Sequence, residues 1–124
     1  MILARDFFIV KSFHSSDNTI QAELELNPLH RIFEGHFPGQ PVVPGVCMMQ
    51  MIKELLEMIL KEKTRLIKAD SAKFLSMIDP RVNKIVQSEI KYLSTGNCEI
   101  EVSASLFSES TTFFKYKAIF ITVE

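Results

Sequence analysis

Between residues 34 and 46 the sequence EGHFPGQPVVPGV combines one histidine, His36, with three glycines and three prolines. Proline fixes its own φ angle and restricts the residue before it, whereas glycine allows turns that other residues avoid. A loop built from both has few accessible conformations and holds its side chains in place. Histidine gains and loses protons near neutral pH, so a fixed His36 is a candidate general base.

The histidine loop leads into a segment that has no helix-breaking residue from Pro44 to about residue 63. Proline is favoured at the first position of a helix, where its missing N–H would have no partner, so we predict one long helix over 44–63. The backbone amides of a first helical turn favour negative charge. The unpaired amides of this helix start are therefore candidate donors to an oxygen that becomes anionic during a reaction.

Apolar residues surround the first two turns of this helix, residues 46–52, and Gln50 is the single exception. We therefore expect the N-terminal half of the helix to be its more deeply buried part. A polar stripe follows on the later turns: Lys53, Glu54, Glu57 and Lys61. The pattern predicts that this stripe is exposed to solvent, with an ion pair between its last two members.

Six segments have the alternating or β-branched patterns of strands: residues 7–13, 19–26, 67–77, 82–93, 98–107 and 111–123. Turn residues join the first two and predict a β-hairpin, and the nearly apolar last segment predicts a central strand. A sheet that curls round the single helix buries the helix best. This predicts an α+β fold of about six antiparallel strands in one domain, residues 1–124. Apolar strand surface that one helix leaves uncovered predicts a homodimer or a higher homo-oligomer.

The overall composition excludes several classes of function. Fourteen basic and fifteen acidic side chains give a net charge of −1, which provides no electrostatic footprint for nucleic acid. No apolar run reaches the roughly 18 residues of a membrane span, so we expect an untargeted, soluble protein. Cys47 and Cys98 lie in apolar or alternating stretches, which predicts buried thiols and a reducing cytoplasm. The three histidines and two cysteines lack the spacing of a metal site, so no metal is expected.

The motif His36-Phe-Pro-Gly-x-Pro-x-x-Pro-Gly45, followed by a helix, resembles the signature of the 3-hydroxyacyl-[acyl-carrier-protein] dehydratases of the hot-dog superfamily. The order of the predicted elements is similar to that family over nearly the whole chain. The resemblance implies the hot-dog fold, a curved antiparallel sheet wrapped round one long helix, and a role in fatty-acid or related acyl-chain synthesis. It implies an acyl carrier protein or coenzyme A thioester as substrate, and it requires no cofactor.

In that family the histidine removes the α-proton of a 3-hydroxyacyl thioester. A carboxylate on the helix of the partner subunit protonates the departing hydroxyl, and a trans-2-enoyl thioester results. The resemblance implies that His36 is the base and that Gly45 donates its amide to the thioester carbonyl. It also assigns Phe37 and Val46, which follow these two residues, to substrate binding.

The catalytic carboxylate is where this sequence departs from the family. Its position falls on Gln50, and an amide cannot give up and regain a proton at neutral pH. Family members commonly have a glutamine one turn later, where this chain has Glu54. Gln50 is then a candidate to orient a water molecule or the 3-hydroxyl, or a buried amide satisfied by the backbone. Glu54, ~5.4 Å further along the helix, is a candidate acid acting through water or on a shifted substrate, or a solvated surface residue.

Two other functions fit the same residues. A hot-dog acyl thioesterase would use the same oxyanion site and direct water to the carbonyl, with Gln50 or Glu54 positioning the water. A catalytically impaired acyl-binding subunit would pair with an active homologue that contributes the missing carboxylate. Cys47 beside His36 is an alternative nucleophile, although a buried cysteine is typically an inert packing group.

Overall fold

A six-stranded antiparallel sheet curves round one long helix in the computed structural model, which describes residues 2–34 and 41–123. The elements are β1 (Phe8–Ser16), β2 (Thr19–Leu26), α1 (Gly45–Leu60), β3 (Lys63–Phe74), β4 (Ile85–Gly96), β5 (Glu99–Phe107) and β6 (Thr112–Val123), with a short 3-10 helix at Arg31–Phe33. The strands lie in the order β1-β2-β4-β5-β6-β3. This arrangement confirms the predicted α+β hot-dog fold.

The first hairpin follows the sequence pattern closely. Strand β2 has the predicted limits, and its alternate apolar side chains from Ile20 to Leu26 are buried. Strand β1 runs further than predicted, to Ser16, because a two-residue turn is enough to reverse the chain. Asp17 and Asn18 form that turn with φ angles of 50° and 60°, a conformation that short polar side chains tolerate.

Strand β6 lies between β5 and β3, so the prediction that the last strand is central is confirmed. Its inward side chains, among them Phe114 and Tyr116, belong to the core beneath the helix. Strand β3 pairs with β6 along its whole length and forms one edge of the sheet. Of its twelve residues only Thr64 is buried.

The helix is shorter than predicted, because it ends at Leu60 and not near residue 63. Lys61 adopts a left-handed conformation with φ of 57°, which ends the helical path. The Glu57 carboxylate then accepts hydrogen bonds from the backbone amide of Thr64, at 2.6 Å, and from its hydroxyl, at 3.1 Å. These bonds fix the start of β3 against the helix, and β3 begins four residues earlier than the pattern indicates.

Burial along α1 follows one face and extends over most of its length. The buried residues are Cys47, Met48, Met51, Ile52, Glu54, Leu55 and Leu56. Four of them lie in the first half of the helix and three in the second, so the expectation that the N-terminal half is the more deeply buried is confirmed by a small margin, although Val46 in the first turn is 62% exposed. The predicted Glu57–Lys61 ion pair is replaced by a Lys53–Glu57 pair at 3.6 Å, because Lys61 has left the helix.

Within the described part of the chain, no helix is both long and apolar enough to cross a membrane.

Candidate active site

The first turn of α1 contains the predicted carbonyl donor. Pro44 is extended and caps the helix, so it precedes the first helical position that the sequence assigned to it. Its carbonyl oxygen accepts the amides of Cys47 at 3.0 Å and Met48 at 3.2 Å. The amides of Gly45 and Val46 come before these first intrahelical donors. They therefore lie where a helix binds an oxygen that carries negative charge.

The ring of Phe74, at the end of β3, covers this first turn. A Cβ atom at position 45 would lie 2.8 Å from the Cε1 atom and 2.9 Å from the Cζ atom of that ring. The ring also stacks on Phe114, with ring centroids 4.8 Å apart and planes inclined by 16°. Phe74 remains 52% exposed, so it forms an apolar wall between the helix start and solvent. Sequence reasoning did not single out Phe74, because no local pattern places the end of β3 over residue 45.

The Gly45–Phe74 contact predicts that alanine at position 45 destabilises the protein, whereas alanine in place of a helical glycine ordinarily stabilises it. Glycine to alanine in a helix is ordinarily favourable by up to ~1 kcal/mol, but a methyl group at position 45 must displace the Phe74 ring. We expect Gly45→Ala to lower the free energy of unfolding by about 1–3 kcal/mol, as overpacking does. Urea denaturation measures this change.

The matched control is Gly45→Ala in a Phe74→Ala background, where the obstructing ring is absent. There the same substitution should be neutral or stabilising. An equal loss of stability in both backgrounds would show that the ring is not the cause.

The Gln50–Glu54 pair lies on the next turns of the same helix. The Nε2 group of Gln50 donates to Oε2 of Glu54 at 2.9 Å. Glu54 is 7% exposed, so the prediction that it belongs to a solvated stripe is wrong. The cause is the segment before β1, whose backbone amides at Leu3 and Ala4 donate to the two carboxylate oxygens at 2.8 and 2.7 Å. No helix-periodicity argument could find these partners, which are about fifty residues away in the sequence.

A cavity of about 540 Å³ opens beside this pair. Gln50, Glu54 and Met58 from the helix line it together with Ala4 and Thr64. Charged side chains, Lys53, Glu57 and Lys63, also line this space, which is open to solvent. Gln50 is partly buried and therefore has access to this space.

His36 and Phe37 lie outside the described residues, so their assigned roles remain predictions. The other two histidines, His30 and His14, are among the described residues. His30 caps the 3-10 helix by accepting the Ile32 amide at 3.1 Å, and its ring packs edge-on against Phe7 at 5.4 Å. His14 is exposed on β1. Among the described residues no group of three or more histidine, cysteine or acidic side chains is arranged to hold a metal ion.

The two cysteines differ in burial, although both were expected to be buried. Cys47 is completely buried, as predicted, and burial raises the pKa of its thiol to about 11. Cys98 was expected to be buried but is exposed, because it lies in the β4–β5 turn with φ of 63° and not on the inner face of β5. A neutral, buried thiol is a poor nucleophile, so the structure favours a packing role for Cys47.

Alkylation should therefore discriminate between the two thiols. We expect iodoacetamide at pH 8 to modify Cys98 in the folded protein while Cys47 stays unmodified, and both to react in urea. Mass spectrometry of tryptic peptides measures the labelling. Equal labelling of both cysteines in the folded protein would contradict the burial of Cys47.

This chain is similar to known proteins in sequence and in fold. A curated relative, the 3-hydroxyacyl-[acyl-carrier-protein] dehydratase FabZ of Ralstonia nicotianae, is 25% identical over 108 residues, a match that spans 69% of this chain and 66% of that protein. The structure of the dehydratase heterocomplex ApeI:P from Xenorhabdus doucetiae matches with a TM-score of 0.72 at 19% identity, covering 91% of this chain and 96% of the other. A hypothetical thioesterase with coenzyme A from Streptococcus pneumoniae matches with a TM-score of 0.66 at 7% identity, covering 94% and 85%.

The two structural matches share the fold, and the curated relative is matched over slightly less than two thirds of its length. A family model covers more of the sequence. The ApeI-like model, described as ApeI dehydratase, matches residues 12–113 and so includes both the histidine motif and helix α1. This chain belongs to the ApeI-like dehydratase family.

Proposed function

We propose that this protein eliminates water from a 3-hydroxyacyl thioester, carried by an acyl carrier protein or coenzyme A, to give the trans-2-enoyl thioester. The observation that carries the proposal is the start of helix α1 at Gly45, the last residue of the histidine motif. The helix gives the motif an anion-binding amide and, five residues later, the side chain of Gln50 beside a cavity. The family match supports a lyase over other chemistries of the fold.

In the proposed reaction His36 takes the proton from C2 of the substrate. The electron pair of that C–H bond moves toward the thioester carbonyl, whose oxygen is stabilised by the amide of Gly45. The enolate then expels the hydroxyl from C3, with C2–C3 becoming a double bond. The imidazolium of His36 returns its proton to this hydroxyl, so that water leaves and the base is regenerated. Gln50, at the position where the resemblance places the carboxylate contributed by the partner subunit, holds the 3-hydroxyl in place.

Glu54 is not assigned the role of the acid in this scheme. Its two oxygens already accept three N–H hydrogen bonds, so both are engaged by partners within the protein. The side chain is also buried behind the segment that supplies two of these donors. The exchange of acid and amide between positions 50 and 54 therefore removes a family acid without supplying a second one.

Product analysis tests the proposal against its hydrolytic rival. Purified protein is incubated with 3-hydroxyacyl thioesters of acyl carrier protein and of coenzyme A, and the products are identified by mass spectrometry. We expect loss of one water from the thioester. Release of the free 3-hydroxy acid without any enoyl product would overturn the proposal in favour of an acyl thioesterase.

A second candidate function is a subunit that needs a related chain for activity. Two facts favour it: Gln50 stands at the carboxylate position, and the similar structure from Xenorhabdus doucetiae is a heterocomplex. Such a subunit would bind acyl thioesters but turn them over only when a homologue supplies the acid. In the product assay it would be inactive alone and regain dehydration on mixing with a family member that has the carboxylate.

We also propose that the protein forms a homodimer or a higher homo-oligomer through strand β3. This edge strand is almost wholly exposed and has apolar side chains at Leu66 (37% exposed), Ile67 (49%) and Phe74 (52%). An exposed edge with this composition is a site for strand pairing. Size-exclusion chromatography with light scattering measures the oligomeric state, and a monomer at micromolar concentration would contradict the proposal.

We also propose that the protein resides in the reducing cytoplasm. Its two cysteines are free thiols, and one of them is exposed.

A further inference from the structure

Glu54 is a buried carboxylate whose hydrogen-bond donors, within the described part of the chain, are all amides. Its donors are the backbone N–H groups of Leu3 and Ala4 and the side-chain amide of Gln50. Among the described residues no basic side chain forms an ion pair with it, since the nearby Lys53 pairs with Glu57. A buried carboxyl group is unfavourable unless its oxygens are hydrogen-bonded, and these three bonds meet that requirement.

On one side the carboxylate fixes the segment before β1. Leu3 is 2% exposed with its side chain in the core, and its carbonyl oxygen accepts the amides of Asp6 at 3.2 Å and Phe7 at 2.7 Å. The chain turns back on itself at Arg5, whose φ is 76°. Glu54 and the core contact of Leu3 thus hold this segment against the helix, where Ala4 forms a wall of the cavity beside Gln50.

On the other side the carboxylate selects one end of the Gln50 amide. A carboxylate can only accept hydrogen bonds, so it binds the nitrogen of Gln50 and excludes the flipped orientation, in which two oxygens would meet. The bond joins residues four apart on one helix face and has little freedom to rearrange. The orientation of the Gln50 side chain is therefore coupled to the segment that contains Leu3 and Ala4.

We propose that Glu54 is a positioning residue, which ties the segment Ile2–Ala4 to helix α1 and sets the orientation of the Gln50 amide. The role in catalysis rests on the proposed function, because it is in the dehydratase scheme that Gln50 holds the 3-hydroxyl. In this role Glu54 acts on Gln50 and not on the reacting atoms. Its effect on the reaction passes through Gln50.

Nuclear magnetic resonance tests the positioning without any assay of activity. Protein labelled with 15N-glutamine shows the side-chain amides of Gln21, Gln40, Gln50 and Gln87, and Gln50→Met identifies the signal of Gln50. We expect the Gln50 protons to exchange with water about tenfold or more slowly than those of the exposed Gln21, because their acceptor is charged and buried. Glu54→Gln should remove this protection, since one amide oxygen cannot serve three donors.

Glu57→Gln is the matched control, because Glu57 lies one turn away and makes no bond to Gln50. It should leave the exchange of the Gln50 protons unchanged. Exchange of these protons as fast as those of Gln21 in the native protein would overturn the proposal. Protection that survives Glu54→Gln in the folded protein would also overturn it.

Kinetics then tests the catalytic consequence. Misplacement of a positioned group lowers kcat by on the order of ten- to a hundredfold, so we expect that loss for Glu54→Gln with KM changed less than about twofold. Glu99→Gln, which changes an exposed carboxylate at the start of β5, should retain the native kcat. Equal rates for the two variants would overturn the catalytic part of the proposal. If the native protein shows no dehydration at all, the proposed function fails, whereas the exchange measurements still decide whether Glu54 positions Gln50.

Discussion

Replacing His36 with alanine should reduce dehydration of a 3-hydroxyacyl thioester by on the order of 10²- to 10⁴-fold, the usual contribution of a positioned general base. The loss is expected near the upper end, because in the proposed scheme the same imidazole both removes the C2 proton and returns a proton to the leaving hydroxyl. Steady-state rates of enoyl thioester formation measure the effect. The fall should appear in kcat, since His36 does not anchor the acyl chain.

His14→Ala is the control for this substitution, because His14 is an exposed histidine on β1, away from the helix. It should leave the rate unchanged. Circular dichroism establishes that both variants are folded. A folded His36→Ala protein with a rate within about twofold of native would show that this imidazole is not the base.

The second large effect is a gain of activity. The double variant Gln50→Glu/Glu54→Gln restores the family order, with the carboxyl group at position 50 and the amide at position 54. We expect dehydration to rise by on the order of 10²-fold, because a general acid then stands at the position of the 3-hydroxyl. The amide introduced at position 54 has one acceptor oxygen for the N–H groups of Leu3 and Ala4, where the native carboxylate has two. Unfolding in urea should therefore show a loss of about 1–3 kcal/mol.

The single variant Gln50→Glu introduces the acid but keeps the native carboxylate at position 54, so it separates the gain of activity from the loss of stability. Residues 50 and 54 are in hydrogen-bond contact at 2.9 Å, so two carboxylates there cannot both be ionised without repulsion. We expect this variant to be less stable than the native protein in urea at neutral pH, because like charges in contact repel. Failure of the double variant to exceed the native rate would show that the missing acid does not limit the reaction.

The sequence was sufficient for the parts of the fold that depend on local periodicity. The alternation from Ile20 to Leu26 gave the limits of β2, and the Pro44-Gly45 pair located the start of the helix to within one residue. The boundary between α1 and β3 could not be predicted in the same way. Lys61 and the residues after it suit a helix, and the hydrogen bonds of Glu57 to Thr64 decide against it.

In the candidate site, too, the local sequence predicts some features, and contacts between distant residues determine others. Gln50 is conspicuous because it interrupts an apolar surface, and it stands where the resemblance predicts a carboxylate. The burial of Glu54 depends on Leu3 and Ala4, and the wall at Gly45 depends on Phe74. Contacts between residues that are distant in the chain leave no periodic signal, so only the folded structure reveals them.

The proposed mechanism depends most on the claim that the thioester carbonyl binds at the start of α1 and the 3-hydroxyl at Gln50. A crystal structure with a 3-hydroxyacyl pantetheine analogue, in which an amide replaces the thioester, tests this claim directly. We predict that the analogue's carbonyl oxygen lies within about 3 Å of the Gly45 amide nitrogen and that its hydroxyl contacts the Gln50 side chain. An analogue bound elsewhere, with the first turn of the helix occupied only by water, would contradict the mechanism.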